Sequence, residues 1–388
     1  MPAKFTTTAG PTLPEIREEV ASELAFITRS VSPLLIALGF PDNLKTVFNI
    51  RHRWLEDALL PNSATINQVG GHAPGDTVLN VDPIQGLNFR VGDELQVEGS
   101  NELMLVTVVA PNTVTVTRGI KGTTAITIPD NSTLKRVGNP AVEDETAPDA
   151  RPTSRNPIDN YTQIFRDTAK VTRSMELVHL HAGVDDELDL QIDRVMKDLM
   201  RDIAGTVVRG KAQAANPEGT STTTRTMNGI IHSILGGSSP SVQDAAGAGL
   251  DERLLNLILE DMFSKGGEPM LLAAPPAQRR RLSALLQGRQ RYRPEDTQLG
   301  AIVETFVSDF GEINVLKPDI FIPNDTVLML DPAKIRMVKL GEGGNPFEVM
   351  PLAKTGLTSN REVVGEFGLE IMNAGDGGQG MIQNLATN

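Results

Sequence analysis

The sequence predicts an α+β protein in which one all-β stretch is set apart from the rest. Three observations predict this. Over 185–210, DDELDLQIDRVMKDLMRDIAGTVVRG, the residues Leu188, Ile192, Val195, Met196, Leu199, Ile203 and Val207 recur at helical spacing and form one apolar stripe. Over 66–138, short β-rich runs (TVLNV, DELQVEG, ELMLVTVVA, NTVTVTRG, TAITIP, TLKRVG) alternate with turn residues. Five or six strands in about 70 residues read as a small barrel or sandwich. Elsewhere helix-like and strand-like segments are intermixed along the chain, the mark of an α+β arrangement.

Taken in order, residues 1–15 read as an arm of small polar residues and early prolines, and 15–28 as a helix with Ile16, Val20, Leu24 and Ile27 on one side. Ser32-Pro33 opens a second apolar stretch, LLIALGFP. The run VFNIRHRWLEDALLP mixes strand and turn spacing and holds Trp54, the only tryptophan. After the β-rich stretch, 139–157 is a polar, proline-rich linker. Residues 161–178 alternate as one or two extended strands leading into the long helix. Asp185 is placed to cap that helix, and Gly210 to stop it. Its polar face offers Asp193–Lys197 and Arg194–Asp198 pairs at i,i+4. At 1.5 Å per residue it is a rod of roughly 37 Å, which needs an equally long surface to lie on. GGSSPSVQDAAGAG reads as a flexible loop, 250–264 as an amphipathic helix capped by Asp251, EPMLLAAPP as a buried strand and AQRRRLSALLQ as a short helix. The remainder is strand-rich: AIVETFVSDFG, EINVLKP, DTVLMLDP, KIRMVKL and REVVGEFGLEIMN. The last stretch, 376–388, reads as a mobile tail.

The chemistry of catalysis is poorly represented. There is no Cys, which excludes disulfides, thiolate nucleophiles and Cys-ligated zinc. No G-x-S-x-G elbow, P-loop or dinucleotide fingerprint occurs. His179 and His181 share a strand face but lack a third ligand at sensible spacing, and the acidic clusters at 143–145 and 185–187 read as a solvated loop and a helix start. No cofactor is implied. The net charge of −13 argues against a dedicated nucleic-acid binder. Against that background Arg279, Arg280, Arg281, Arg289, Arg291 and Arg293 form a dense basic patch. It suits a solvated helix face, phosphate contact, or pairing with an acidic surface of a neighbouring subunit, and the last is favoured because arginine suits bidentate interface pairs.

The order of these parts resembles the major capsid (head) protein of tailed double-stranded DNA bacteriophages, the Hong Kong 97-type fold, in a subgroup with a small β-module inserted early in the chain. The resemblance is carried by RHRWLEDALLP (51–61), NPIDNYTQIFRDTAKVTRSMELVHLHAG (156–183), VSDFGEINVLKPDIFIPNDTVLMLDP (307–332) and LAKTGLTSNREVVGEFGLEIMN (352–373). It implies an N-terminal arm over 1–47 and an extended loop over 48–165 carrying the β-module at 66–138. It further implies a peripheral domain over 166–221 with the spine helix at 185–210, an axial domain over 222–331, and peripheral strands over 332–375. The long helical N-terminal extension of the scaffolding type is lacking, which implies a separate scaffolding protein or a leader removed ahead of residue 1. The implied function is self-assembly into hexamers and pentamers of an icosahedral head in the host cytoplasm. The partners would be other copies, the portal, scaffolding or decoration proteins, and, non-specifically, packaged DNA. Trp54 joins the arginines as a candidate contact residue. Two other readings compete: another virion part such as a tail-tube or decoration protein, and a hydrolase carrying a carbohydrate-binding β-module.

Overall fold

A computed structural model of the chain describes residues 32–57, 60–141, 143, 155–177, 186–287, 305–342, 345–354 and 356–387. Two compact units divide the chain: 55–156, and the flanking stretches 1–54 with 157–388.

In the larger unit, the strand Thr358–Ile371 organises one sheet. It pairs antiparallel with Gln163–Thr172 on one side and with Ile335–Leu340 and Glu348–Pro351 on the other; Lys45–Val47 adds parallel to Ile335–Leu340. Alternation decides its two faces. Val363, Phe367, Leu369 and Ile371 are buried in the core, where Phe367 lies 5.4 Å from Phe40, 5.6 Å from Phe347 and 6.2 Å from Phe165 between ring centroids. Gly365 falls on this same face. A Cβ there would meet the rings of Phe367 and Phe347 at 2.5 and 2.9 Å, so the aromatic cluster needs a position without a side chain.

The predicted long helix forms over Glu187–Arg209 and packs on this sheet. Its cap is Asp186, whose carboxylate accepts from Leu188 N at 2.8 Å; Asp185 lies outside the described residues. Gly210 ends the helix, its N–H reaching Thr206 O at 2.7 Å. Burial grows toward the C-terminal half: Leu199, Ile203, Ala204, Val207 and Val208 are buried, whereas Ile192, Val195 and Met196 are half-buried. On the outer face Lys197 pairs with Asp193 at 2.9 Å as expected. Asp198 meets Arg201 at 3.2 Å, one helical turn on, where Arg194 had been expected.

The second sheet of this unit runs in the order Ser241–Asp244, Gly380–Gln383, Val327–Leu330, Leu271–Ala273, Gly311–Val315, Thr305–Ser308. Both of its faces are covered. Leu271, Ala273, Leu328, Leu330 and Met381 face the core shared with the long helix. Leu272, Ala274, Val327, Met329 and Ile382 face a second core under the helix Glu252–Ser264. Such strands read as continuous apolar runs rather than alternating ones. That helix is capped by Asp251, which accepts from Leu254 N at 2.8 Å.

Four expectations are corrected. The stretch 376–388 is not a mobile tail: Gly380–Gln383 is an interior strand, Met381, Ile382 and Leu385 are buried, and its glycines serve close approaches instead of freedom. The loop read at 236–249 contains the strand Ser241–Asp244, paired in parallel with those same residues. The extended run 161–178 turns helical at Arg173–Leu177. Residues 32–47, assigned to the arm, are built into the core: Ser32 caps the helix Pro33–Ala37, Leu34, Leu35, Leu38 and Phe40 are buried, and Asp319 accepts from Ser32 Oγ.

In the unit 55–156, six strands lie in the order Ser63–Thr65, Thr133–Gly138, Glu94–Val97, Leu103–Ala110, Thr113–Thr117, Val78–Asn80. A bridge between Ile66 and Val81 joins the two ends, with Asn67 N on Asn80 O at 2.9 Å and Asp82 N on Thr65 O at 3.0 Å, so the sheet closes on itself and leaves little open edge. Ile66, Leu79, Leu95, Met104, Val114, Ile128 and Leu134 fill the interior. At the rim a buried ion pair closes the structure: Arg118 donates to Glu102 at 2.5 and 2.7 Å, and Ile126 N donates to the same carboxylate at 2.9 Å. Burial pushes the Glu102 carboxyl up, but Arg118 and the backbone donors outweigh it and hold it below its ordinary range.

Candidate assembly site

Of the arginine cluster, the three described members do not share one face. Arg279, Arg280 and Arg281 follow one another on the helix Pro276–Gln287, and a turn of about 100° per residue sends them to different sides. Arg279 is buried. Arg281 is half-buried and donates from Nη1 to Ala386 O at 2.6 Å, beside Gln278 Nε2, which donates to the same oxygen at 2.8 Å. The two side chains clasp the end of the chain's own C-terminal segment. Arg280 alone of the three is exposed; Arg289, Arg291 and Arg293 lie outside the described residues, as do His179 and His181.

Trp54 is half-buried on the strand Arg51–Glu56, which pairs with Asn156–Tyr161 in a two-stranded ribbon. Its ring lies 5.8 Å from that of His52. This ribbon leads the chain into and out of 55–156, and its root is held by charge. Arg51 and Arg53 both bond Asp159, Arg53 Nε at 2.5 Å. The Arg53 hydrogen bond, working against burial and aided by Arg51, holds the Asp159 carboxyl at about 2. Asn160 Nδ2 donates to Leu369 O at 2.7 Å and to Asn228 O at 3.0 Å.

The receiving surface is the polar face of the strand Thr358–Ile371, where Glu362, Glu366 and Glu370 recur every fourth residue and so point the same way. Each meets a basic side chain from a different segment. Arg166 lies 3.7 Å from Glu362. Arg225 bonds Glu366, donates to Thr162 O at 2.5 Å, and shares Glu366 with Thr162 Oγ1 at 2.6 Å. Glu370, fully buried, accepts from His52 Nε2 at 2.6 Å and Lys45 Nζ at 2.8 Å. The His52 hydrogen bond, against the cost of burial and with help from Lys45, brings the Glu370 carboxyl down to about 2. His52 and Glu370 are 318 positions apart, so sequence spacing does not reveal them; the one legible signal was the four-residue repeat of glutamates in the otherwise apolar stretch 362–371.

This arrangement fastens segments together and offers no nucleophile with an adjacent base. Among the described residues no group of three His, Asp or Glu side chains is placed to hold a metal, and no helix is long and apolar enough to cross a membrane.

Comparison with known proteins agrees with a structural role. No curated protein matches by sequence. Among solved structures, the capsid of a native GTA particle superposes with a TM-score of 0.57 at 8% identity, covering 99% of this chain and 100% of that one. The capsid subunit of cyanophage A-1(L) superposes with a TM-score of 0.54 at 9% identity, covering 96% and 97%. The mixed α+β fold is therefore that of the Hong Kong 97-like phage capsid structures. The family model described as SU10 major capsid protein matches residues 2–386, and the chain belongs to that family of phage major capsid proteins.

Proposed function

We propose that this protein assembles into the hexamers and pentamers of an icosahedral phage head that encloses double-stranded DNA, with no catalytic role of its own. The observation that carries the reading is the family match over nearly the whole chain; the supporting physics is a long helix laid along a sheet, a ribbon fastened by buried charge, and no catalytic constellation among the described residues. In this reading the helix Glu187–Arg209 is the spine of a peripheral domain, and the doubly covered sheet belongs largely to an axial domain. The ribbon is the root of an extended loop, and the closed six-stranded sheet over 63–138 is a module inserted in it that holds neighbouring subunits. Exposed Arg280 and half-buried Trp54 are contact residues, and portal, scaffolding or decoration proteins join during assembly in the host cytoplasm. A net charge of −13 keeps contact with packaged DNA weak, which favours packing and release. Expression of the full chain followed by sedimentation and electron microscopy tests this. Capsomers or closed particles of megadalton size are expected; a stable small oligomer under all assembly conditions overturns it.

A further inference from the structure

The strand Gln163–Thr172 ends its sheet. It pairs with Thr358–Ile371 on one edge, and among the described residues no strand pairs with the other. Alternate residues on that edge turn N–H and C=O outward, a template for another extended segment. Beside it, against the last turns of the long helix, runs a groove of about 650 Å³. Ile164, 52% exposed, supplies an apolar contact, and the charged lining is three arginines, Arg166, Arg201 and Arg209, against one acid, Asp202. Arg209 is exposed and spends its Nε on Phe321 O at 2.9 Å. Arg166 and Arg201, both exposed, touch Glu362 and Asp198 at 3.7 and 3.2 Å in solvent-screened pairs, which yield readily to a better-placed carboxylate. A free strand edge lined with arginine fits an extended acidic peptide.

The sequence holds two stretches that pack four acids and no base into seven residues or fewer, 143–149 (EDETAPD) and 185–189 (DDELD). The second is committed to the start of the long helix, where Asp186 caps it and Glu187 and Asp189 lie in its first turn. We infer that the groove receives residues 143–149 of a neighbouring copy, added along the free edge of Gln163–Thr172 with its carboxylates on Arg166, Arg201 and Arg209. This rests on the shell-forming reading and names the surface through which one subunit takes hold of the next.

The test titrates a labelled peptide of residues 139–155 into unassembled full-length protein, read by fluorescence anisotropy, with particle yield followed in parallel. Saturable binding is expected, weakening about tenfold or more from low to high salt because the contacts are charge-assisted. Arg166→Glu with Arg209→Glu should lower affinity by at least about tenfold and abolish particles without shifting the thermal melt. A peptide carrying Glu143→Lys, Asp144→Lys and Glu145→Lys should fail on the wild type and bind the double variant. Equal binding of the native peptide to wild type and double variant overturns the inference. So does a DNA oligonucleotide of equal charge that competes as well as the native peptide, since the groove is then a general polyanion site. Normal particles from the double variant sink the groove as an assembly contact and leave the shell reading standing. Peptide binding with no particles from the wild type does the reverse.

Discussion

Glu370→Gln is the most informative single change, because it keeps the shape of the side chain and removes the charge that fastens the ribbon. In the folded chain this carboxyl sits at about 2, against an ordinary 4.5. Since a pKa unit corresponds to about 1.4 kcal/mol, the ionised carboxylate contributes up to roughly 3 kcal/mol. The Lys45 side chain is 45% exposed, so solvent screens its share and a loss of roughly 2 kcal/mol at pH 7 is expected for the variant. The sign follows from linkage. A folded-state pKa depressed below the unfolded one gives stability that is complete above about 4.5 and is lost as pH falls toward 2. The gap between wild type and variant should therefore shrink by more than half between pH 7 and about pH 3. Trp54, the sole tryptophan, stands beside His52 on the ribbon and reports the event. Urea unfolding of dilute, unassembled protein, followed by its fluorescence at both pH values, measures the effect. Coincident midpoints at pH 7, or a gap unchanged by acid, would show that Glu370 does not fasten the ribbon.

Other changes probe other parts. Leu199→Asp places an unpaired charge on the buried stretch of the long helix, should cost several kcal/mol, and should yield insoluble or unassembled protein in a fractionation assay. Gly237→Ala is expected to lower the melting temperature by several degrees, since its Cβ would overlap the backbone of Gly375 where the helix Ile230–Leu235 meets the C-terminal turn. Arg281→Ala should destabilise by roughly 1–3 kcal/mol in urea titration by removing one of the two donors to Ala386 O, whereas Arg280→Glu should leave stability within about 0.5 kcal/mol and alter only particle yield. The isolated segment 60–141 should show a cooperative melt with β-type circular dichroism, because its sheet closes on its own core; a disordered peptide would refute its autonomy.

Local pattern determined much of this protein. The stripe from Leu188 to Val207 specified the long helix and its buried face, since a 3.6-residue period survives any tertiary context that covers one side. Asp251 and Gly210 were legible as a cap and a stop because their hydrogen bonds stay within one turn. What depended on distant partners was not legible. Residues 380–383 look like a glycine-rich tail until Val327–Leu330 and Ser241–Asp244 flank them, because the two-residue apolar run Met381-Ile382 is too short to announce a strand that its neighbours stabilise. Arg279, Arg280 and Arg281 read as one patch in the sequence, where neighbours along the chain need not share a face. The helix turns Arg279 inward and gives Arg281 to the Ala386 carbonyl, leaving Arg280 outside. The ladder of Glu362, Glu366 and Glu370 was visible only as a repeat. Its partners Arg166, Arg225, His52 and Lys45 come from four separate segments, and only the packed sheet brings each charge to its carboxylate; the pairing is strongest at fully buried Glu370 and weakest at Glu362, whose partner Arg166 is exposed.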